Sequence, residues 1–173
     1  MKRIEYLGYL VDEKGISPSL SNVKAITDYP IPRNTRELQS FIDLLSYFRK
    51  FIKDFSLITK PLYNLLKRDR KFNFTDDHLS VFNFLKDKIA SQPVLALYSH
   101  TAETELHCGT SALGFGAILF QRQEADGKFH PVMIFSKRTS QAESKYRRYE
   151  LECLGIIMLL KDFMFIYSPL NLK

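Results

Sequence analysis

The stretch ETELHCGTSALGFGAILFQRQEADGKFHPVMIFS, residues 103–136, decides the fold of the second half of this chain. Apolar and polar residues alternate in three parts of it, 103–108, 116–121 and 131–136, and such alternation predicts β-strands. The dipeptide Asp126-Gly127 lies between the second and third parts and is a strong signal for a β-hairpin. We therefore expect a sheet of three strands, in which the last two are antiparallel neighbours.

A long amphipathic helix is predicted directly after this sheet. Ser140 and Glu143 have the spacing of a capping box, which marks the start of a helix. Apolar residues then recur at helical spacing as far as residue 166, and we expect this stripe to be the buried face. Its members are Tyr146, Tyr149, Cys153, Ile156, Ile157, Leu160 and Phe163. The second half is thus predicted to be a β-β-β-α unit.

The first half is predicted to be a hairpin followed by helices. Residues 4–17 indicate two short strands, 6–11 and a return through Ile16, joined by a polar turn at Lys14-Gly15. Helices are predicted at about 20–28, 35–52, 61–67 and 76–90, and the clearest of them begins with the capping-box pair Asn34 and Glu37. Residues 92–95 break the helical period. The fold class is therefore α+β, with one domain at 1–92 and a second at 93–173.

The composition restricts the compartment and the partners. The chain has 173 residues, of which 45% are hydrophobic, and this is enough for a buried core. Its formal net charge of +6 is concentrated in residues 1–98, which hold 16 Lys/Arg against 11 Asp/Glu, and this balance favours a nucleic acid or another polyanion. Cys108 and Cys153 lack the paired spacing of a disulfide or zinc site. We expect a soluble protein with no membrane partner in an intracellular setting.

Motifs along nearly the whole chain resemble one known family. The segments that match in order and spacing are 6–9, 15–16, 23–26, 30–32, 36–38, 40–41, 47–52, 60–62, 92–95, 114–119, 136–139 and 142–146. Together they resemble the Pol polyprotein of gypsy-type long-terminal-repeat (LTR) retrotransposons. The resemblance covers the thumb and connection region of reverse transcriptase and the N-terminal part of the ribonuclease H (RNase H) domain.

This resemblance implies a metal site of which the chain keeps one ligand. Ribonuclease H of this type uses a pair of Mg²⁺ ions held by several carboxylates. The first family carboxylate, an Asp within Asp-Ala-Ser, falls on Gly109. The second falls on Glu152, and the third and fourth would come after Lys173. The Tyr-x-Asp-Asp motif of the polymerase palm is also missing. We expect no bound Mg²⁺ and no catalysis by this chain alone.

The same resemblance implies contacts with a primer-template duplex or an RNA–DNA hybrid. In the family the hairpin grips the primer strand, and the thumb helices contact phosphates through Lys and Arg. The alternative is that these charges are ordinary solvated side chains. The candidate contacts are Leu7, Gly8 and Tyr9 in the hairpin, and Arg36, Arg49, Lys50, Lys53, Lys67, Arg68 and Arg70 among the helices.

Three hypotheses about function remain open from the sequence. The chain is a retroelement-derived remnant that binds duplex weakly, or it is a working segment of a larger active Pol polyprotein. In the third hypothesis it is a domesticated protein-interaction module, which associates with itself or a partner through the open edge of its sheet.

Overall fold

The computed structural model describes residues 3–67, 71–91 and 93–167. The chain begins with an antiparallel sheet of three short strands in the order β1 (Ile4–Tyr6), β2 (Tyr9–Asp12) and β3 (Gly15–Pro18). The prediction of two strands here was wrong. Leu7 and Gly8 have φ angles of 47° and 73°, and these left-handed conformations form a tight turn that divides the predicted first strand.

Five α-helices follow in the described part of the first half, and they build the larger core. They are α1 (Leu20–Thr27), α2 (Thr35–Tyr47), α3 (Phe55–Ile58), α4 (Lys60–Leu65) and α5 (Asp76–Ala90). The predicted start of α2 is confirmed, since the side chain of Asn34 accepts a hydrogen bond of 2.9 Å from the Glu37 amide. The buried apolar residues of these helices pack into one cluster that includes Ile26, Leu38, Phe41, Leu45, Leu62, Phe82 and Leu85.

The predicted helix 35–52 is too long. It ends at Tyr47, and a 3₁₀ turn at Arg49–Phe51 follows before α3, a helix that the sequence did not predict. This break lets Phe51 and Ile52 remain in the same core, where both side chains are buried. Burial of these apolar side chains offsets the lost helical hydrogen bonds.

A second antiparallel sheet has the order β4 (Thr104–Ser111), β5 (Gly114–Arg122) and β6 (Phe129–Arg138). The three predicted strands and the hairpin at Asp126-Gly127 are confirmed, although each strand is longer than predicted. Gly127 has the positive φ, 66°, that such a turn requires. Across the first pair of strands, Gly109 lies opposite Gly116.

The last helix, α6 (Arg148–Tyr167), differs from its prediction in start and in buried face. Ser140 and Glu143 do form the predicted reciprocal hydrogen bonds, but the helix that follows them is only a 3₁₀ turn at Glu143–Lys145. Leu151 and Gly155 are buried, with Leu154 and Met158 partly buried beside them. The predicted stripe is exposed as far as Leu160, at Tyr146, Tyr149, Cys153, Ile156, Ile157 and Leu160, and the side chain of Phe163 lies outside the described part of the structure.

Gly155 explains which face of α6 meets the sheet. A Cβ atom added at this position would lie 2.4 Å from Cγ2 of Thr110 on β4. Because only glycine permits this approach, the helix packs through the Gly155 side rather than through the bulkier apolar stripe. The larger stripe is left on the outer surface of the described structure.

The two halves of the chain are joined by specific contacts. The Oγ atoms of Ser56 on α3 and Ser136 on β6 are 2.7 Å apart, and the Ser56 amide donates to Ser136 Oγ at 3.0 Å. Ile16 and Leu95 exchange backbone hydrogen bonds of 2.7 and 2.9 Å. The domain boundary between residues 92 and 93 stays a prediction. Within the described ranges, none of the helices combines the length and apolarity needed to cross a membrane.

Candidate nucleic-acid interface

The Leu7-Gly8 turn at the tip of the first sheet is exposed, and hydrogen bonds from other elements hold it in place. Leu7 projects from the turn with 66% of its surface exposed. The carbonyl oxygen of Gly8 accepts hydrogen bonds from the Ser19 amide at 2.9 Å and from Nδ2 of Asn22 at 3.1 Å. A Cβ atom on Gly8 would lie only 2.6 Å from Nδ2 of Asn22, so the turn requires glycine for space as well as for its φ angle.

The C-terminal end of α2 is bonded to this same turn. The rings of Tyr9 and Tyr47 are stacked, with centroids 5.1 Å apart and an interplanar angle of 16°. The Tyr9 hydroxyl donates to the Tyr47 carbonyl at 2.9 Å, and the Tyr47 hydroxyl donates to the Leu7 carbonyl. Lys50 places its Nζ 3.8 Å from the centroid of the Tyr9 ring, in a cation–π contact.

Burial changes the ionisation of this cluster. It lowers the pKa of Lys50, because removal from water disfavours the ammonium. Burial is also the main cause that raises the pKa of Tyr9, and the nearby Tyr47 adds to it. Tyr9 is therefore a neutral hydrogen-bond donor over the physiological range.

The structure brings together four of the predicted nucleic-acid contacts. Leu7, Gly8, Tyr9 and Lys50 form one cluster, and Arg49 is exposed in the 3₁₀ turn beside Lys50. Asn22 and Tyr47 were not predicted from the sequence to be hydrogen-bond partners of the turn. The hydrogen bonds of Tyr47 join residues 38 and 40 positions apart, and local patterns carry no signal for contacts of that range.

The remaining candidates lie elsewhere. Arg36 is exposed in the first turn of α2, and at 1.5 Å per residue this places it roughly 16 Å along the helix from Tyr47. Lys53 is exposed at the rim of a pocket, and Lys67 is exposed just beyond α4. Arg68 and Arg70 lie outside the described residues.

Gly109, which is predicted to occupy the position of the first family carboxylate, lines that pocket, which has a volume of about 500 Å³. Thr110 faces α6, so the alternation of the strand directs position 109 to the opposite face of the sheet. That face is turned toward Asp54, whose Oδ1 would lie 3.2 Å from a Cβ on Gly116. Among the described atoms, none would lie within 4 Å of a Cβ at position 109. A side chain could therefore be accommodated there.

Glu152, which is predicted to be the second family carboxylate, is on α6 and thus on an element that packs on the other face. Its side chain is 55% exposed, and its carboxylate lies 3.3 Å from Nε of Arg148, one turn earlier. Over residues 3–67, 71–91 and 93–167, no three His, Cys, Asp or Glu side chains are grouped as metal ligands would be.

Fold and sequence place the chain in a known class. Its fold is similar to that of the foamy viral protease-reverse transcriptase. The structure with RNA/DNA hybrid matches with a TM-score of 0.79 and 20% identity, over 92% of this chain and 22% of the other. The structure with double-stranded DNA matches with a TM-score of 0.76 and 21% identity, over 99% and 35%. At 20–21% identity these two likenesses show a shared fold.

The sequence defines the family more closely. Residues 74–168 match the family described as the RNase H-like domain found in reverse transcriptase. The Tf2-3 and Tf2-4 transposon polyproteins of Schizosaccharomyces pombe (strain 972 / ATCC 24843) are each 33% identical over 161 residues, 93% of this chain. The chain belongs to this family, and it is a segment of a Pol polyprotein of the gypsy-type LTR retrotransposons. It spans 12% of the length of these curated relatives.

Proposed function

We propose that this chain holds a primer-template duplex or an RNA–DNA hybrid and, by itself, catalyses neither polymerisation nor RNA hydrolysis. The observation that carries the proposal is the exposed Leu7-Gly8 turn, which is bonded to α2, with Lys50 over the Tyr9 ring and the exposed Arg49 next to it in the chain. An apolar side chain at a rigid tip can contact sugars and bases, and the neighbouring cations suit phosphates. The foamy viral relatives of the same fold were solved with duplex nucleic acid, which supports this use of the fold.

The charge distribution supports the same partner. Residues 1–98 carry an excess of 5 positive charges, 16 Lys/Arg minus 11 Asp/Glu, whereas residues 99–173 carry 9 against 8. Arg36, Arg49 and Lys53 are exposed and, in the described structure, form no ion pair with a carboxylate. Such side chains can exchange water and counterions for phosphate at low cost.

The catalytic part of the proposal rests on the donor set. The RNase H family usually uses Mg²⁺, a cation that keeps its waters unless several oxygens compete for it. Here Gly109 offers no ligand, and the carboxylate of Glu152 is engaged with Arg148. These two positions do not fit a pair of Mg²⁺ ions. Incubation of a labelled hybrid with the chain in Mg²⁺ should leave the RNA strand intact, and specific cleavage would contradict the proposal.

Salt dependence tests the binding part of the proposal. A labelled RNA–DNA hybrid is titrated with the whole chain at several salt concentrations, and log Kd is plotted against log salt. We expect affinity to fall with salt, and the double variant Arg49→Ala/Lys53→Ala to reduce the slope by about 1 to 2, since each lost phosphate contact removes about one released counterion.

The matched control removes the same charge elsewhere. Lys128→Ala/Lys145→Ala lowers the net charge equally at two exposed positions in the second half. Its slope should stay close to that of the unaltered chain. Binding that is insensitive to salt, or equal slopes for the two double variants, would exclude phosphate contact by Arg49 and Lys53.

A second candidate is that the chain works as a segment of a larger active Pol polyprotein. The observation that favours it is the match to polyproteins of which this chain covers 12%. Such a segment would act inside the cell, in the cytoplasm, a virus-like particle or the nucleus, and fractionation of cells with a tagged chain checks this. Extension of the reading frame tests the candidate itself: an upstream Tyr-x-Asp-Asp and a downstream Asp support it, and stop codons on both sides oppose it.

A third candidate is association through the edge of the second sheet. In the described structure β5 is the only strand paired with β4, and Glu105, His107 and Cys108 on β4 are exposed. An unpaired edge can add a strand from another chain. Light scattering after size exclusion should show dimers whose fraction rises with concentration, whereas a monomer at all concentrations would exclude self-association.

A further inference from the structure

We infer that Tyr47 is a positioning residue, which couples the end of α2 to the Leu7-Gly8 turn and so fixes the surface that the turn presents to a duplex. The inference rests on the proposed duplex binding for its functional meaning. Its structural half, that the Tyr47 hydroxyl keeps the turn ordered, can be measured without nucleic acid.

The Leu7-Gly8 turn has a backbone conformation that costs free energy. Leu7 has a φ of 47°, a conformation that costs a residue with a side chain roughly 1–2 kcal/mol. The flanking strands are short, and because Ile4–Tyr6 is exposed and Tyr9–Asp12 is only half-buried, they supply limited packing to offset that cost. The turn therefore depends on contacts from outside its own hairpin.

Those contacts come from α2 and from the start of α1. Each of the two turn residues has its carbonyl oxygen bonded by another element. Tyr47 on α2 donates to Leu7, while Ser19 and Asn22, at the start of α1, donate to Gly8. With both carbonyls held, the turn has one orientation relative to the helices. Tyr47 is the member of this set that also stacks on the Tyr9 ring.

The Tyr47 hydroxyl can be removed without loss of the fold. Tyr47 is 48% exposed, so Tyr47→Phe opens no cavity and keeps the stacked ring. Its backbone carbonyl, which accepts from Tyr9, is unchanged. The substitution thus removes the hydrogen bond to Leu7 and little else.

The order of the turn should change the affinity for a duplex. A rigid apolar tip binds with less loss of conformational entropy than a mobile one, and this difference appears in affinity rather than in the number of released counterions. Loss of positioning and loss of phosphate contact therefore have different signatures: Tyr47→Phe should change Kd at every salt concentration by the same factor.

The experiment uses the whole chain and two measurements. Backbone order parameters of the Leu7 and Gly8 amides are determined by NMR relaxation, and hybrid affinity is determined across the salt series. For Tyr47→Phe we expect lower order parameters at both amides and an affinity about threefold to tenfold weaker, the equivalent of one hydrogen bond, with an unchanged salt slope.

The matched control is Tyr29→Phe. The Tyr29 hydroxyl donates to the Glu37 carbonyl at 3.0 Å, so the variant loses the same kind of bond away from the turn. Its turn dynamics and its affinity should equal those of the unaltered chain.

The outcomes separate the two proposals. Unchanged order parameters in Tyr47→Phe overturn the positioning role, and so does a mobile turn with unaltered affinity or with a reduced salt slope. Failure of the unaltered chain to bind any hybrid overturns the proposed function and the functional half of this inference, while the order parameters still decide whether Tyr47 holds the turn.

Discussion

At the scale of single residues, glycines mark where the backbone has no alternative. Gly8 is needed for both conformation and space, because its φ is 73° and Asn22 occupies the place of a Cβ. Gly127 has a similar φ of 66°, but among the described atoms none would lie within 4 Å of its Cβ. The two positions therefore separate conformational strain from steric conflict.

Substitution by alanine at these two glycines tests that separation. Gly127→Ala should lower the free energy of unfolding by about 1 kcal/mol, the cost of a side chain in the left-handed region. Gly8→Ala should cost more, about 2–4 kcal/mol, since Asn22 must also move and lose its hydrogen bond to the Gly8 carbonyl. Urea unfolding followed by circular dichroism measures both, and equal losses would show that the contact with Asn22 is relieved without cost.

At the scale of elements, the packing of α6 on β4 shows how a local rule is overruled. Gly155 is inside a helix, where glycine is normally about 1 kcal/mol less favourable than alanine. The close approach to Thr110 reverses that preference. Within the described structure the Oγ1 of Thr110 is also buried without a hydrogen-bond partner, which costs the free energy of desolvating that hydroxyl.

A pair of substitutions tests this contact. Gly155→Ala alone should destabilise the chain by about 1–3 kcal/mol, because the added methyl group meets Thr110 at 2.4 Å. In Gly155→Ala/Thr110→Ala the new Cβ atom faces the Cβ of residue 110 at an ordinary 3.8 Å, and only the 3.3 Å contact with Cδ1 of Phe115 remains tight, so most of the lost stability should return. Thr110→Ala by itself should be neutral or stabilising. Chemical denaturation gives all three values, and a double variant no more stable than Gly155→Ala would contradict the assignment.

At the scale of the whole molecule, the two halves are unequal and joined. The larger core lies among the helices of the first half, whereas the second sheet and α6 share a smaller cluster around Phe115, Ala117 and Leu151. The Ser56–Ser136 hydrogen bonds and the Ile16–Leu95 bridge connect the halves. Leu95, at the start of the second half, is itself buried in the core of the first.

The second half should therefore be marginal by itself. A fragment of residues 95–173 would lose the helices that pack against β6 and would expose Leu95. A small core seldom offsets the conformational entropy of so short a chain. Thermal unfolding followed by circular dichroism should show a broad transition at low temperature, and a cooperative melt close to that of the whole chain would prove this wrong.

The sequence by itself determined the elements whose signals are local. Alternation in residues 103–136, the turn at Asp126-Gly127 and the cap at Asn34 each depend on neighbours a few positions apart, and all three agree with the structure. The family followed from motifs that keep their order along the chain. Gly109 and Glu152 were assigned in the same way, from their places within family motifs, and their assignment stays a prediction.

Only the tertiary structure decided the end of α2, the buried face of α6 and the partners of the Leu7-Gly8 turn. The stripe on α6 was assigned to the wrong face because helical periodicity cannot show which side fits closely against Thr110. Tyr47 was missed because its bond to Leu7 spans 40 positions. Contacts of that range are set by how whole elements pack, and a pattern confined to one element carries no information about them.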